Sequence, residues 1–145
     1  MVIELSWAKG PSDNLSWKEL ACKDGTFYPR EFIDDGRVNR LAELFERIRR
    51  MCGDLPIIVV SAYRTPAHNK RIGGAKFSQH MEGRALDLRP PKGMTVRRFH
   101  DIIRTNAFTL GVHGLGIYGT FVHVDIRPTD KLVSWSGDGL KDTRT

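Results

Sequence analysis

Ser78-Gln79-His80-Met81-Glu82-Gly83-Arg84-Ala85-Leu86-Asp87 sets a histidine and an aspartate seven positions apart, with a glycine between them. A neutral imidazole nitrogen and a carboxylate oxygen are both good Zn²⁺ ligands, and a catalytic zinc usually has three protein ligands plus a water. Two candidates stand in this stretch. Phe121-Val122-His123-Val124-Asp125 is the place to look for the third. If the two segments meet on one metal, the chemistry they support is hydrolysis.

The neighbouring sequence says what carries these residues. Arg84 to Arg89 alternates Ala85, Asp87 and Arg89 with Leu86 and Leu88, which reads as a strand with one polar face, ended by Pro90-Pro91. Gly114-Leu115-Gly116-Ile117-Tyr118 and Phe121–Arg127 flank Gly119-Thr120, a two-residue hairpin signal. On the second of these strands His123 and Asp125 share a face, while Val122, Val124 and Ile126 take the other. A carboxylate on a buried strand is costly without a partner. Two polar strand faces, each with a carboxylate and a histidine nearby, therefore argue for one shared site. It is a metal site or a structural His–Asp hydrogen-bond network.

Val38, Leu41, Ala42, Phe45, Ile48 and Met51 recur at helical steps, predicting a helix over 37–51 stopped at Gly53. Ser16 with Glu19 forms a capping-box pattern for a short helix that packs Trp17 and Leu20 on the core. Pro56–Arg64 is a β-branched run that suits a central strand, and residues 66–73 suit a helical turn broken at Gly73-Gly74. Thr95 caps a second helix through Asn106, with Val96, Phe99, Ile102 and Ile103 as its apolar stripe. Leu132-Val133 and Trp135 suggest an edge strand. The chain is expected to form a single domain over 1–145, with an irregular segment over 1–36 and a mobile tail over 137–145. The fold class expected is α+β, a small antiparallel sheet with helices packed on it.

Hydrophobic content of 40% and charged content of 28% suit a soluble globular chain. Cys22 and Cys52 are too few for a disulfide scaffold or a cysteine-rich zinc site, so they are expected as free thiols. A formal net charge of +6 favours anionic partners such as an acidic cell-wall polymer. No nucleic-acid signature accompanies the basic residues, so no nucleic-acid partner is expected. Neither a signal peptide nor a transmembrane segment is visible, so the expectation is cytoplasmic synthesis, with action on the wall after release or within a virion. His68, His100 and His113 read as surface or loop histidines.

Ser78-x-His80-x-x-Gly83-x-Ala85-x-Asp87 resembles the signature of the zinc D-Ala-D-Ala carboxypeptidase family, which also contains the phage L-alanyl-D-glutamate endolysins. The same residues are similar to the zinc site of hedgehog signalling domains, which share that fold. Ser61-Ala62-Tyr63-Arg64-Thr65-Pro66 resembles the upstream family segment, and Gly116–Tyr118 with Phe121–Asp125 resembles a distal block. The resemblance covers about residues 56–127, roughly half of the chain. It implies a hedgehog/DD-peptidase fold and a Zn²⁺ cofactor held by His80, Asp87 and His123, with Asp125 in place of His123 as the alternative register. It further implies a catalytic Arg64 and a peptidoglycan peptide as substrate. Ser78 is expected to hydrogen-bond its loop or the substrate, Tyr63 and Tyr118 to contact substrate or pack in the core, and the enzyme to be a monomer. Many family members carry an acidic general base three positions before the last histidine, where this chain has Thr120. Asp125 is the first choice for that base and Glu82 the second. A non-catalytic, zinc-stabilised wall- or protein-binding module is the alternative function.

Overall fold

The computed structural model describes residues 9–137. Apart from Gly137, the expected mobile tail lies outside the described residues, as do the first eight positions of the expected irregular segment. The elements run α1 (Trp17–Leu20), α2 (Arg30–Asp34), α3 (Arg37–Met51), β1 (Ile58–Ser61), α4 (Pro66–Arg71), a 3-10 turn (Gln79–Glu82), β2 (Ala85–Arg89), α5 (Val96–Thr105), α6 (Ala107–Leu110), β3 (Gly114–Ile117), β4 (Val122–Asp125) and β5 (Val133–Ser136). The fold is α+β. Its five-stranded sheet has the order β1-β2-β4-β3-β5.

The starts of α1, α4 and α5 follow from side-chain caps. Ser16 accepts from the Glu19 amide while Glu19 reaches back to the Ser16 amide, completing the capping box of α1. Thr65 and Thr95 accept from the amides of His68 and Arg98 and so begin α4 and α5. α3 buries Val38, Leu41, Ala42, Leu44, Phe45 and Ile48. Met51, expected on that face, is exposed at the last turn, and Leu44 is buried in addition.

The strands divide their side chains by parity. Leu86, Leu88, Leu115, Val122 and Val124 enter one core with Leu41, Phe45, Ile48, Phe99 and Ile103 of α3 and α5. The other parity forms rows across the sheet. Ser61 pairs with Asp87, Asp87 with His123, His123 with Gly116, and Gly116 with Trp135. The next row sets Ala85 beside Asp125, and Asp125 beside Gly114. Glycine is required at both positions for space. A Cβ on Gly114 would overlap the Asp125 carboxylate, and one on Gly116 would overlap the Trp135 indole.

Three expectations change. The sheet is mixed, because β5 pairs parallel to β3 while the other pairings are antiparallel. β1 is an edge strand, paired with β2 alone, and Ile58 is 57% exposed. Its apolar run reflects residues that pack downward into the core, not neighbours on both sides. Residues 9–36 contain α2 as well as α1. α2 has no side-chain cap, and what fixes it is tertiary. Arg37 lies 4.0 Å over the Phe32 ring, and its guanidinium donates to the Glu82 carbonyl at 2.7 Å.

The 3-10 turn that presents His80 ends at Gly83, with φ of 66°. Tyr28 donates its hydroxyl to the Gly83 carbonyl at 2.7 Å, and a Cβ at Gly83 would overlap the Tyr28 and Phe32 rings. Left-handed backbone costs an alanine about 1–2 kcal/mol, and overpacking adds a similar amount. Gly83→Ala should therefore lower unfolding stability by about 3 kcal/mol in urea denaturation. An unchanged midpoint would refute the stated role of this glycine.

Candidate metal centre

Asp87 lies near the middle of β2, 3% exposed, directly across the ladder from His123 on β4. The 3-10 turn before β2 brings His80 onto the same carboxylate. His80 Nε2 and His123 Nδ1 each lie 3.1 Å from Asp87 Oδ1. The two rings meet edge to face, with centroids 5.1 Å apart. His80, Asp87 and His123 are all buried, and one ligand atom of each falls within 4.8 Å of the others.

The outer contacts of the imidazoles fix their tautomers. His80 Nδ1 lies 2.6 Å from the Ala62 carbonyl, which can only accept, so this nitrogen carries the proton. His123 Nε2 lies 2.7 Å from Asp125 Oδ2, so it carries the proton of the second ring. In the neutral rings, His80 Nε2 and His123 Nδ1 are then both lone pairs, aimed at a carboxylate oxygen. Three acceptors converging on one buried point require a cation. The donor set of two imidazoles and one carboxylate suits zinc, and each histidine has the outer hydrogen bond typical of a metal-bound ring.

The titration behaviour expresses the same demand through protons. Burial pushes the His80 pKa down. Burial also opposes protonation of His123, but the Asp125 and Asp87 carboxylates outweigh it and hold that pKa above its ordinary value. Burial alone would raise Asp87; hydrogen bonds with His123 and His80 instead hold it well below the usual carboxylate range.

A cleft of about 480 Å³ opens over this cluster. Arg64 lines it, with NH2 3.3 Å from Asp87 Oδ2 and Nε 3.2 Å from Ser61 Oγ. Its NH1 lies 3.3 Å from Asn69 Oδ1, and its backbone amide donates to the His80 carbonyl at 3.1 Å. Ser78 also lines the cleft, where its hydroxyl accepts from the His80 amide at 3.2 Å and starts the 3-10 turn. Tyr118 stands at the rim, stacked on Phe121 at 4.6 Å and accepting from Trp135 Nε1 at 2.8 Å.

Four residues that the sequence singles out stand outside the cleft lining. Tyr63 does not line the cleft; it packs against Tyr28 and Phe32, with ring centroids 6.1 Å away in each case. Asp125, expected as the general base, is fully buried behind His123. Its oxygens are engaged by His123 Nε2, by Arg127 Nε at 2.9 Å and by Arg127 NH2 at 2.7 Å. Glu82 also lies outside the cleft lining, with Arg37 3.9 Å away. His100 is buried, at 2.9 Å from Asp101, although its sequence context suggested a surface histidine.

The sequence reading did not single out Gln79, Arg127 or Trp135, which all line the cleft. Gln79 Oε1 is buried with no hydrogen-bond partner. Arg127 continues the alternation of His123 and Asp125, a signal that could have found it. Trp135 arrives only through the β3–β5 pairing, and its ring lies 5.1 Å from that of His123.

The sequence profile of peptidase M15 matches residues 12–125. The chain belongs to the peptidase M15 family. No curated protein matches the chain. The matched span contains His80, Asp87, His123, Arg64 and the two core helices. M15 peptidases are zinc-dependent metallopeptidases, and His80, Asp87 and His123 are the candidate zinc ligands of this chain.

Zinc affinity at the His80–Asp87–His123 site should collapse in His80→Ala and Asp87→Ala, measured by competition with a chromophoric chelator. Asp125→Asn should weaken it about 10- to 100-fold, because the His123 ring loses its orienting carboxylate. An unchanged affinity in a folded Asp125→Asn protein would show that the pair does not orient the ring.

Proposed function

We propose that this M15 peptidase hydrolyses peptide bonds in the stem peptides or cross-links of peptidoglycan. The observation that carries the reading is the buried cluster of His80 Nε2, His123 Nδ1 and Asp87 Oδ1 at the floor of an arginine-lined cleft. In this reading the fold is of the hedgehog/DD-peptidase type, supported by the spacing of His80, Gly83 and Asp87. Release from a cell or carriage on a virion would bring the protein to the wall, and its positive charge would favour contact with an anionic polymer.

A bound zinc supplies Lewis-acid polarisation of a carbonyl and a lowered pKa for water. The protein's own groups do the rest. Arg64 is held by three acceptors, so its guanidinium is positioned before substrate arrives, suited to a carboxylate or a developing oxyanion. Ser78 fixes the backbone that presents His80. Asp125 keeps the His123 proton on Nε2 and leaves Nδ1 for the metal. Tyr118, Phe121 and Trp135 form an aromatic wall along which a peptide can lie.

One observation favours a second reading. Position 120 is threonine, and among the described residues lining the cleft the sole carboxylate is Asp87. A zinc-stabilised binding module without turnover fits that composition. Digestion of purified peptidoglycan separates the two readings. The peptidase reading expects released peptides, loss of release on chelation, recovery on adding zinc, and abolition by His80→Ala. Arg64→Lys should lower kcat/KM by about 10- to 100-fold, since a lysine cannot hold the forked contacts. Wall binding with no product at any zinc concentration would establish the binding module. Mass spectrometry of the fragments then separates removal of a C-terminal residue from cleavage within the peptide.

A further inference from the structure

A second group of potential ligands lies outside the cleft. Cys22 Sγ, a carboxylate oxygen of Asp24 and a ring nitrogen of His68 all fall within 4.8 Å of one another. Cys22 and Asp24 belong to the turn that follows α1, closed by Cys22 N to Thr26 O at 2.9 Å and Gly25 N to Cys22 O at 3.0 Å. His68 comes from α4, more than forty positions later. Thr65 joins the two. Its amide donates to Cys22 Sγ at 3.5 Å, and its hydroxyl donates to Asp24 Oδ2 at 2.8 Å while accepting from the His68 amide at 3.1 Å.

Two features distinguish this group from an ordinary loop network. His68 Nδ1 is buried with no hydrogen-bond partner, although an unpartnered buried polar atom is costly. Cys22 is a free thiol, 4% exposed, with the Thr65 amide already directed at its sulfur. The Asp24 carboxylate is held in place by the Thr26 amide, which donates to Oδ1 at 2.9 Å, and by the Thr65 hydroxyl. Cys22 also lines a surface hollow with Lys18, Ala21, Lys23 and Gly25.

We propose that Cys22, Asp24 and His68 form a second zinc-class metal site, separate from the cleft, that clamps the turn after α1 to the Thr65–His68 corner. Thiolate with imidazole selects a borderline-soft divalent ion over Ca²⁺ or Mg²⁺. Three protein ligands leave a fourth position for water. The clamp would act beside the catalytic cleft, because Thr65 directly follows Arg64. Metal at this site would engage a His68 ring nitrogen and stiffen the backbone from which Arg64 reaches Asp87.

Cobalt tests this directly, because the His80 site contains no sulfur. The full-length, metal-free, reduced protein is titrated with Co²⁺ and followed by absorption. The wild-type protein should show a thiolate-to-cobalt charge-transfer band in the near ultraviolet and bind two equivalents. His80→Ala should keep that band and bind one. Cys22→Ser should lose the band and also bind one. His68→Ala, a change at a partly exposed helix position, should lose most of the band while keeping its circular dichroism, which covers the case in which Cys22→Ser fails to fold. Absence of the band at cobalt saturation overturns the proposal, as does a band that survives in Cys22→Ser. Either failure leaves the peptidase reading untouched, since that reading rests on ligands without sulfur.

Discussion

The contact on which the structure turns is the pair of imidazoles converging on one oxygen of Asp87. It is made by register. β2 and β4 pair so that Asp87 faces His123, and the Gly83 turn swings His80 back over the same carboxylate. Buried in a sheet without these partners, the carboxylate would be strongly destabilising. With them, it forms a socket for positive charge. Slipping the β2–β4 register by one residue would turn Asp87 into the core and Leu86 and Leu88 toward the cleft. The alternation that builds the hydrophobic core is therefore the same alternation that assembles the site.

Around that contact each residue has a distinct depth. His80 and His123 meet the Asp87 oxygen, while Ala62 and Asp125 hold the far sides of the rings. Arg127 holds Asp125, and its guanidinium lies 5.0 Å from the Trp135 ring. Gly114 and Gly116 leave room for the Asp125 carboxylate and the Trp135 indole on the sheet surface. The result is a polar layer one side chain thick, braced from below by the strands and laterally by aromatic rings. Such bracing keeps donor atoms in place without a metal, which lowers the ordering cost of binding one.

What the sequence made legible was local. The α3 periodicity, the Ser16 and Thr95 caps and the strand alternation all act within a few residues, and all appear in the fold. His80, Asp87 and His123 were legible because ligand chemistry and strand parity coincide there. Depth and neighbours were not. Parity put Asp125 on the His123 face, but only the Arg127 and Gly114 contacts show it seated behind the ring. An apolar run could not say that β1 lies at an edge, nor could a tail with one tryptophan reveal parallel pairing with β3. α2 has no capping side chain of its own, and its supports are the ring and turn contacts of Arg37. For Tyr63 the sequence left substrate contact and core packing both open, because the partners that decide it, Tyr28 and Phe32, lie far away in sequence.

The two arginines in the cleft play different parts. Arg127 is fully committed, paired to Asp125 and laid beside Trp135, so it contributes rigidity more than free charge. Arg64 is held by one carboxylate and two neutral oxygens, at distances of 3.2–3.3 Å, which are long for charge-assisted bonds. It therefore retains donor capacity for a ligand. A cation between the histidines would draw on the Asp87 charge and leave Arg64 less neutralised, so metal and anionic substrate should strengthen one another's binding. The cleft lining also carries Phe77, 82% exposed, and the Gly73-Gly74 segment, where a Cβ on Gly74 would come within 3.2 Å of Arg64 NH1. A peptide entering the cleft would thus cover exposed apolar surface and meet a positioned guanidinium. Contacts of these two kinds would orient a peptide before any bond is broken.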